Sequence, residues 1–230
     1  MIRLTSYFKC ISVVGLSVLL SNPAMAQVVS PDSTLNTTVS RSSNTFTITN
    51  GTAAGTNLFH SFREFSIPTN GSAVFNLVNT PNVSTIFSRV TGTTVSNIDG
   101  LIRSINNTNP VSLFLMNPNG IIFGPNARLN ISGSFVGTTA ERIQFQNGRE
   151  FNTTDPTPLL TIALPIGLQF GSTSAPIQVN GAGHLFTSTS ILSPTTRPNA
   201  LPLGLGVNPG KTIALVGGNI DLNGGLKNHL

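Results

Sequence analysis

Residues 111–140 read VSLFLMNPNGIIFGPNARLNISGSFVGTTA, a succession of short apolar runs separated by turn residues, and the spacing of those turns decides the class of fold. In Asn117-Pro118-Asn119-Gly120 the order Asn, Pro, then Gly at the fourth position suits a type I turn, because the proline ring presets φ and the first Asn side chain can bond the backbone ahead of it. The chain must corner sharply there. On either side, Leu113-Phe114-Leu115 and Ile121-Ile122-Phe123 are apolar runs bounded by turn formers, the pattern of strands buried in a β core. Gly124-Pro125-Asn126 ends the second run, and Leu129-Asn130-Ile131-Ser132 then alternates apolar and polar until Gly133 interrupts it.

The same pattern extends in both directions. Residues 45–49 alternate Thr with Phe46 and Ile48, residues 72–78 are apolar around Asn76, and Ile177-Gln178-Val179 alternates again. Gly, Pro and Asn break nearly every run before it reaches three helical turns, so the chain reads as β with loops. Asn-Gly pairs beginning at Asn50, Asn70, Asn119, Asn147, Asn180 and Asn223 mark corners. Protruding loops are expected at residues 152–158 and 193–202, both proline-rich. Short strands with frequent turns fit two architectures, an antiparallel sandwich or barrel and a parallel β-helix whose coils cover one another, and periodicity alone leaves both open.

The first 26 residues have the build of a cleaved secretory signal: basic Arg3 and Lys9, an apolar stretch from Ile11 to Leu20 too short to span a bilayer, and Ala24-Met25-Ala26 as the cleavage site. The mature chain is expected to run from Gln27 to residue 230 as a single domain. The only cysteine, Cys10, falls in the removed segment, so disulfides cannot hold the exported chain together. Only 8% of residues are charged, whereas 25 are asparagine, so solubility rests on amides and hydroxyls that can bond along strand ladders without like-charge repulsion. Without Arg3 and Lys9 the formal charge falls from +5 to +3, and the remaining arginines are scattered rather than clustered. A nucleic-acid partner is excluded on that ground.

Catalytic chemistry is sought and not found. The acids Asp32, Glu64, Asp99, Glu141, Glu150, Asp155 and Asp221 form no paired motif, which argues against a secreted carbohydrate-active β-helix enzyme, the nearest alternative, since such enzymes need clustered carboxylates. His60, His184 and His229 stand alone without a zinc-type spacing and are read as structural. No catalytic residue, metal ligand or cofactor is assigned. An outer-membrane barrel is disfavoured because there is no Trp and the one Tyr, Tyr7, lies in the signal.

The 111–140 segment resembles the N-terminal secretion domain of the filamentous haemagglutinin family, the exported partner of two-partner secretion systems. The resemblance continues upstream in Asn57-Leu58-Phe59-His60-Ser61-Phe62, Ile86-Phe87-Ser88-Arg89-Val90-Thr91-Gly92 and Ser96-Asn97-Ile98-Asp99-Gly100-Leu101-Ile102-Arg103. It continues downstream in Gly167-Leu168-Gln169-Phe170-Gly171, in residues 179–184 and in residues 209–218. A separate Asn-Pro-Asn-Leu element, present in some members, is missing. The resemblance implies a right-handed parallel β-helix with an N-terminal cap and extra-helical strands. It implies export through a cognate outer-membrane transporter with periplasmic capture domains, and an adhesin-type role at the cell surface towards a carbohydrate or protein receptor. Asn117, Pro118, Asn119 and Gly120 would then be the motif on which transporter recognition or folding depends. A solenoid exposes its end coils, so a cap is physically required, and residues 28–39 are the candidate. Residues 212–216 and 219–222 look like further coils with no successor, as in a truncated exoprotein or one that keeps only its export module.

Overall fold

The computed structural model describes residues 28–181 and 205–224. The signal segment, the 193–202 loop, His184 and His229 lie outside them. Nineteen strands and no helix make up the described residues. Most of the strands wind into a three-faced solenoid. The first face carries β5 (Asn57–Phe65), β7 (Thr85–Val90), β10 (Ser112–Met116), β13 (Phe135–Thr138) and β18 (Ile213–Val216), all parallel and paired in that order. The second carries β8 (Ser96–Ile98), β11 (Ile121–Phe123), β17 (Ile177–Asn180) and β19 (Ile220–Asn223), again parallel, and Ile67 bridges Ile98 in the coil before. The third carries β3 (Thr45–Asn50), β6 (Ser72–Asn76), β9 (Leu101–Ile105) and β12 (Arg128–Asn130), parallel as well. The register partners Leu58, Ile86, Leu113 and Phe135 follow one another at 28, 27 and 22 residues, one coil each. Parallel pairing at that spacing selects the β-helix over the sandwich.

Alternation along each strand builds the core. Leu58, Ile86, Leu113 and Phe135 stack inward from the first face, Phe46, Ala73 and Ile102 from the third, and Ile98 and Phe123 from the second, all buried in one cluster. Each full burial of such a side chain contributes about 1.5–3 kcal/mol, which lets a chain with few charges and no disulfide hold together.

Corners between the second and third faces bring backbones into direct contact. Leu101 N bonds Gly71 O at 3.0 Å, and Arg128 N bonds Gly100 O at 3.0 Å. A Cβ on Gly100 would lie 2.6 Å from Ile67 Cγ2 and 2.8 Å from Pro68 O. Gly100→Ala is therefore expected to destabilise the fold by about 1–3 kcal/mol through overpacking, measured as a lower urea midpoint. An unchanged midpoint would mean that the corner can spread. Asp99, just before it, binds both adjoining coils, accepting from Thr69 Oγ1 on one side and from Asn126 N at 2.9 Å on the other.

The cap is antiparallel. β1 (Val29–Pro31) pairs with the end of β5, setting Val29 opposite Phe65, and β2 (Thr37–Ser42) pairs with β3 along its whole length. The cap thus reaches Ser42, beyond the expected Val39, because β2 must match the length of β3 to cover its edge. After Asn50-Gly51, where both residues have positive φ, a short β4 (Thr52–Ala54) runs antiparallel to β5, turning into it through Gly55-Thr56 with Gly55 also at positive φ.

Between β13 and β17 the chain leaves the solenoid. There β14 (Arg142–Phe145), β15 (Glu150–Asn152) and β16 (Pro165–Gln169) form an antiparallel sheet with β14 in the middle. This sheet lies on the outer surface of the first face, over the register column Phe59, Phe87 and Phe114. Phe59 and Phe87 stack with ring centroids 5.1 Å apart, Phe87 and Phe114 are 5.0 Å apart, and Phe151 meets Phe59 edge-on at 5.0 Å. The 152–158 segment is a loop between β15 and β16 that keeps Thr154, Pro156 and Thr157 in solvent, while Thr153 N bonds Glu141 O at 3.0 Å and Pro158 is buried, so it is anchored at both ends.

Candidate functional site: a buried asparagine corner and an arginine under the cap

Asn117-Pro118-Asn119-Gly120 forms the corner between β10 and β11, on the third complete coil. Gly120 N bonds Asn117 O at 3.1 Å and Asn119 N bonds Asn117 Oδ1 at 3.0 Å, the turn and the side-chain brace that the sequence predicts. The asparagines also reach out of the turn. Asn117 is fully buried, and its Nδ2 donates to Thr94 O at 3.0 Å and Ser96 Oγ at 2.9 Å in the preceding coil. Its own N bonds Thr138 O at 2.9 Å in the following coil. Asn119 Nδ2 donates to Gly92 O at 2.8 Å, and Gly120 O accepts from Ser96 N at 3.1 Å. Gly120 has φ of +117°, which disfavours any side chain there. One tetrapeptide thus fastens three successive coils, while Pro118 and Asn119 keep part of their surface in solvent. The two amides beside an apolar run were the available sign of this clamp, since buried polar groups must find partners.

Sequence reading missed a second centre. Arg89, one of the arginines counted as scattered, is completely buried on the outer side of β7. Its Nε donates to Ser61 Oγ at 2.8 Å, its Nη2 to Thr34 Oγ1 at 3.1 Å and its Nη1 to the Asn152 carbonyl, while the guanidinium lies 4.9 Å from the centre of the Phe151 ring. Cap, first two coils and extra-helical sheet meet on this one side chain. Burial pulls its pKa below the usual arginine value, opposed by the charges of Asp32 and Asp155. An arginine within the apolar run Ile86-Phe87-Ser88-Arg89-Val90 was the only signal for it.

Asp32 completes the node. Its Oδ2 accepts from Ser61 Oγ at 2.5 Å and Thr91 Oγ1 at 2.8 Å, and its Oδ1 from Thr34 N at 2.9 Å and Thr34 Oγ1 at 2.8 Å. Burial alone would raise this carboxyl, but the bonds from Ser61, Thr34 and Thr91 outweigh it and hold the pKa below the ordinary value. Asp32 and Asp155 line one cavity of about 500 Å³ together with Arg63, Arg89 and Thr91. Asp32 is tied to Ser61, Thr34 and Thr91 and held ionised, so it is not the proton donor that glycoside hydrolysis requires of one of its two carboxyls. Among the described residues no group of three or more His, Cys, Asp or Glu is placed to hold a metal. His60 is wholly buried beside Phe62 and Phe75 with Thr37 Oγ1 3.2 Å from Nδ1, and burial lowers its pKa to about 3.

The sequence matches the TPS secretion domain family over residues 27–229, a span that begins at the expected first residue of the mature chain. No curated protein is significantly similar to it. Among solved structures, the HMW1 secretion domain from Haemophilus influenzae is similar at 21% identity and a TM-score of 0.49, covering 86% of this chain and 40% of that one. The filamentous hemagglutinin secretion domain is similar at 17% identity and a TM-score of 0.45, covering 81% of this chain and 76% of that one. The chain thus spans less than half the length of the HMW1 chain. No helix among the described residues is long and apolar enough to cross a membrane.

Proposed function

Because the chain belongs to the TPS secretion domain family, we propose that it is the export module of an adhesin-type exoprotein, which crosses the inner membrane on a cleaved signal and is taken to the cell surface by a two-partner secretion transporter. Family membership supports an outer-membrane transporter as its partner. The finer reading is that periplasmic capture domains of that transporter bind the chain while it is extended, by adding its strands to a sheet edge, and that the solenoid forms after emergence. Burial of the stacked Leu, Ile and Phe columns then favours outward movement without a nucleotide. A carbohydrate or protein receptor at the surface is part of the same reading.

The observation that carries the site assignment is the corner at residues 117–120, where two amides bind across three coils and still leave Pro118 and Asn119 partly exposed. Asn117→Ala strands Thr94 O and Ser96 Oγ, at a cost of about 1–3 kcal/mol. The double variant Asn117→Ala with Asn119→Ala is expected to be secreted far less than the wild type by cells carrying the transporter. Wild-type secretion of that variant would remove these residues from export. Comparing the urea midpoint of the refolded variant with its secretion separates a folding defect from a recognition defect.

A further inference from the structure

We propose that the extra-helical sheet is a folding lock: the cap and the first coils close only when residues 142–169 dock on them, so that the domain closes as one unit and not coil by coil. A solenoid normally does the reverse, since each coil touches only its neighbours and folding can begin anywhere and spread. Three sets of contacts break that rule here. Asn57 Nδ2, at the start of the first coil, donates to Thr161 O at 3.0 Å and Ala163 O at 3.1 Å, more than a hundred residues away. Arg89 joins Thr34 of the cap to Asn152 of the sheet. The outward aromatic column Phe59, Phe87 and Phe114 has Phe145 and Phe151 as its cover, with Phe145 5.2 Å from Phe87 and 6.2 Å from Phe59.

Without that cover the first three coils would show a continuous apolar stripe of three phenylalanines, each able to bury about 150–250 Å². A stripe of that size exceeds what monomeric proteins leave in water without a binding purpose. Asn57 would also lose both acceptors, and Arg89 would keep its charge with only part of its shell. The three-coil intermediate is therefore open and adhesive until the chain through Gln169 is available. Combined with the export reading, on which this consequence alone rests, closure is withheld until that much chain has crossed.

Amide hydrogen exchange on the purified full chain tests the lock independently of export. In Phe145→Ala, amides of β1 and β5 are expected to lose protection by the same factor as those of β14, about 100-fold or more. If β14 and β16 lose protection while β1 and β5 stay within about threefold of wild type, the lock does not exist. Should that variant fail to fold, the wild type decides. Equal protection of β5 and β14 at increasing sub-denaturing urea supports the lock, and β14 opening more than about tenfold more readily than β5 overturns it.

Discussion

Arg89→Ala lowers the unfolding free energy by about 3–5 kcal/mol, the cost of removing one partner from a buried charge network. Three acceptors lose their donor at once: Ser61 Oγ, Thr34 Oγ1 and the Asn152 carbonyl. Phe151 loses the cation above its face. Asp32, ionised and half-buried, would remain with its hydroxyl donors but without the opposing charge. Arg89→Met restores the apolar stem without the donors, so it should recover only the packing part of the loss. Urea denaturation of the two variants, with Asp32→Asn added to complete a double-mutant cycle, measures the electrostatic share. A loss below about 1 kcal/mol for the alanine variant would reduce the node to a surface-type ion pair.

Acid should unfold this protein earlier than its carboxylates alone would require. His60 binds no proton in the fold until about pH 3, whereas in the unfolded chain it protonates near 6.5. Between those values the unfolded state carries the extra proton, so stability is complete above about pH 6.5 and is lost as pH falls towards 3. The limiting loss is about 5 kcal/mol, and Asp32 and Asp99, whose pKa values are lowered, withdraw their own contribution only as pH falls below the ordinary carboxylate range. Urea midpoints taken from pH 7 to pH 4 should slope downward in the wild type and flatten in His60→Leu. A wild-type midpoint constant over that interval would contradict the burial of a neutral imidazole.

The parts of the fold that sequence could reach were those carried by local chemistry. The corner at Asn117 to Gly120 is written in proline, glycine and asparagine geometry, and the strands at Leu113 and Ile121 in runs bounded by turn residues. Parallel or antiparallel order is different, since it depends on which coil lies over which, and alternation within a strand carries no record of that. The cap was placed correctly but ended early, at Val39, because only the partner strand β3 defines its length. The apolar run around Arg89 hints at its burial, but its partners were out of reach for the same reason. A guanidinium becomes buried only when Thr34, Ser61 and Asn152 converge on it from distant positions, and no spacing within the chain announces that meeting. The 152–158 segment, rich in turn formers, does keep Thr154, Pro156 and Thr157 in solvent, but the bond from Arg89 to the Asn152 carbonyl at its start has no local sign.

On the outward side of the first face, the aromatic column gives way to Val136 and then Ala214. The shield therefore ends where the side chains shrink, and among the described residues β18 and β19 have neighbours on one side only. The last described coil thus offers parallel strand edges of the same kind as those inside the stack, without the aromatic shield that covers the first coils.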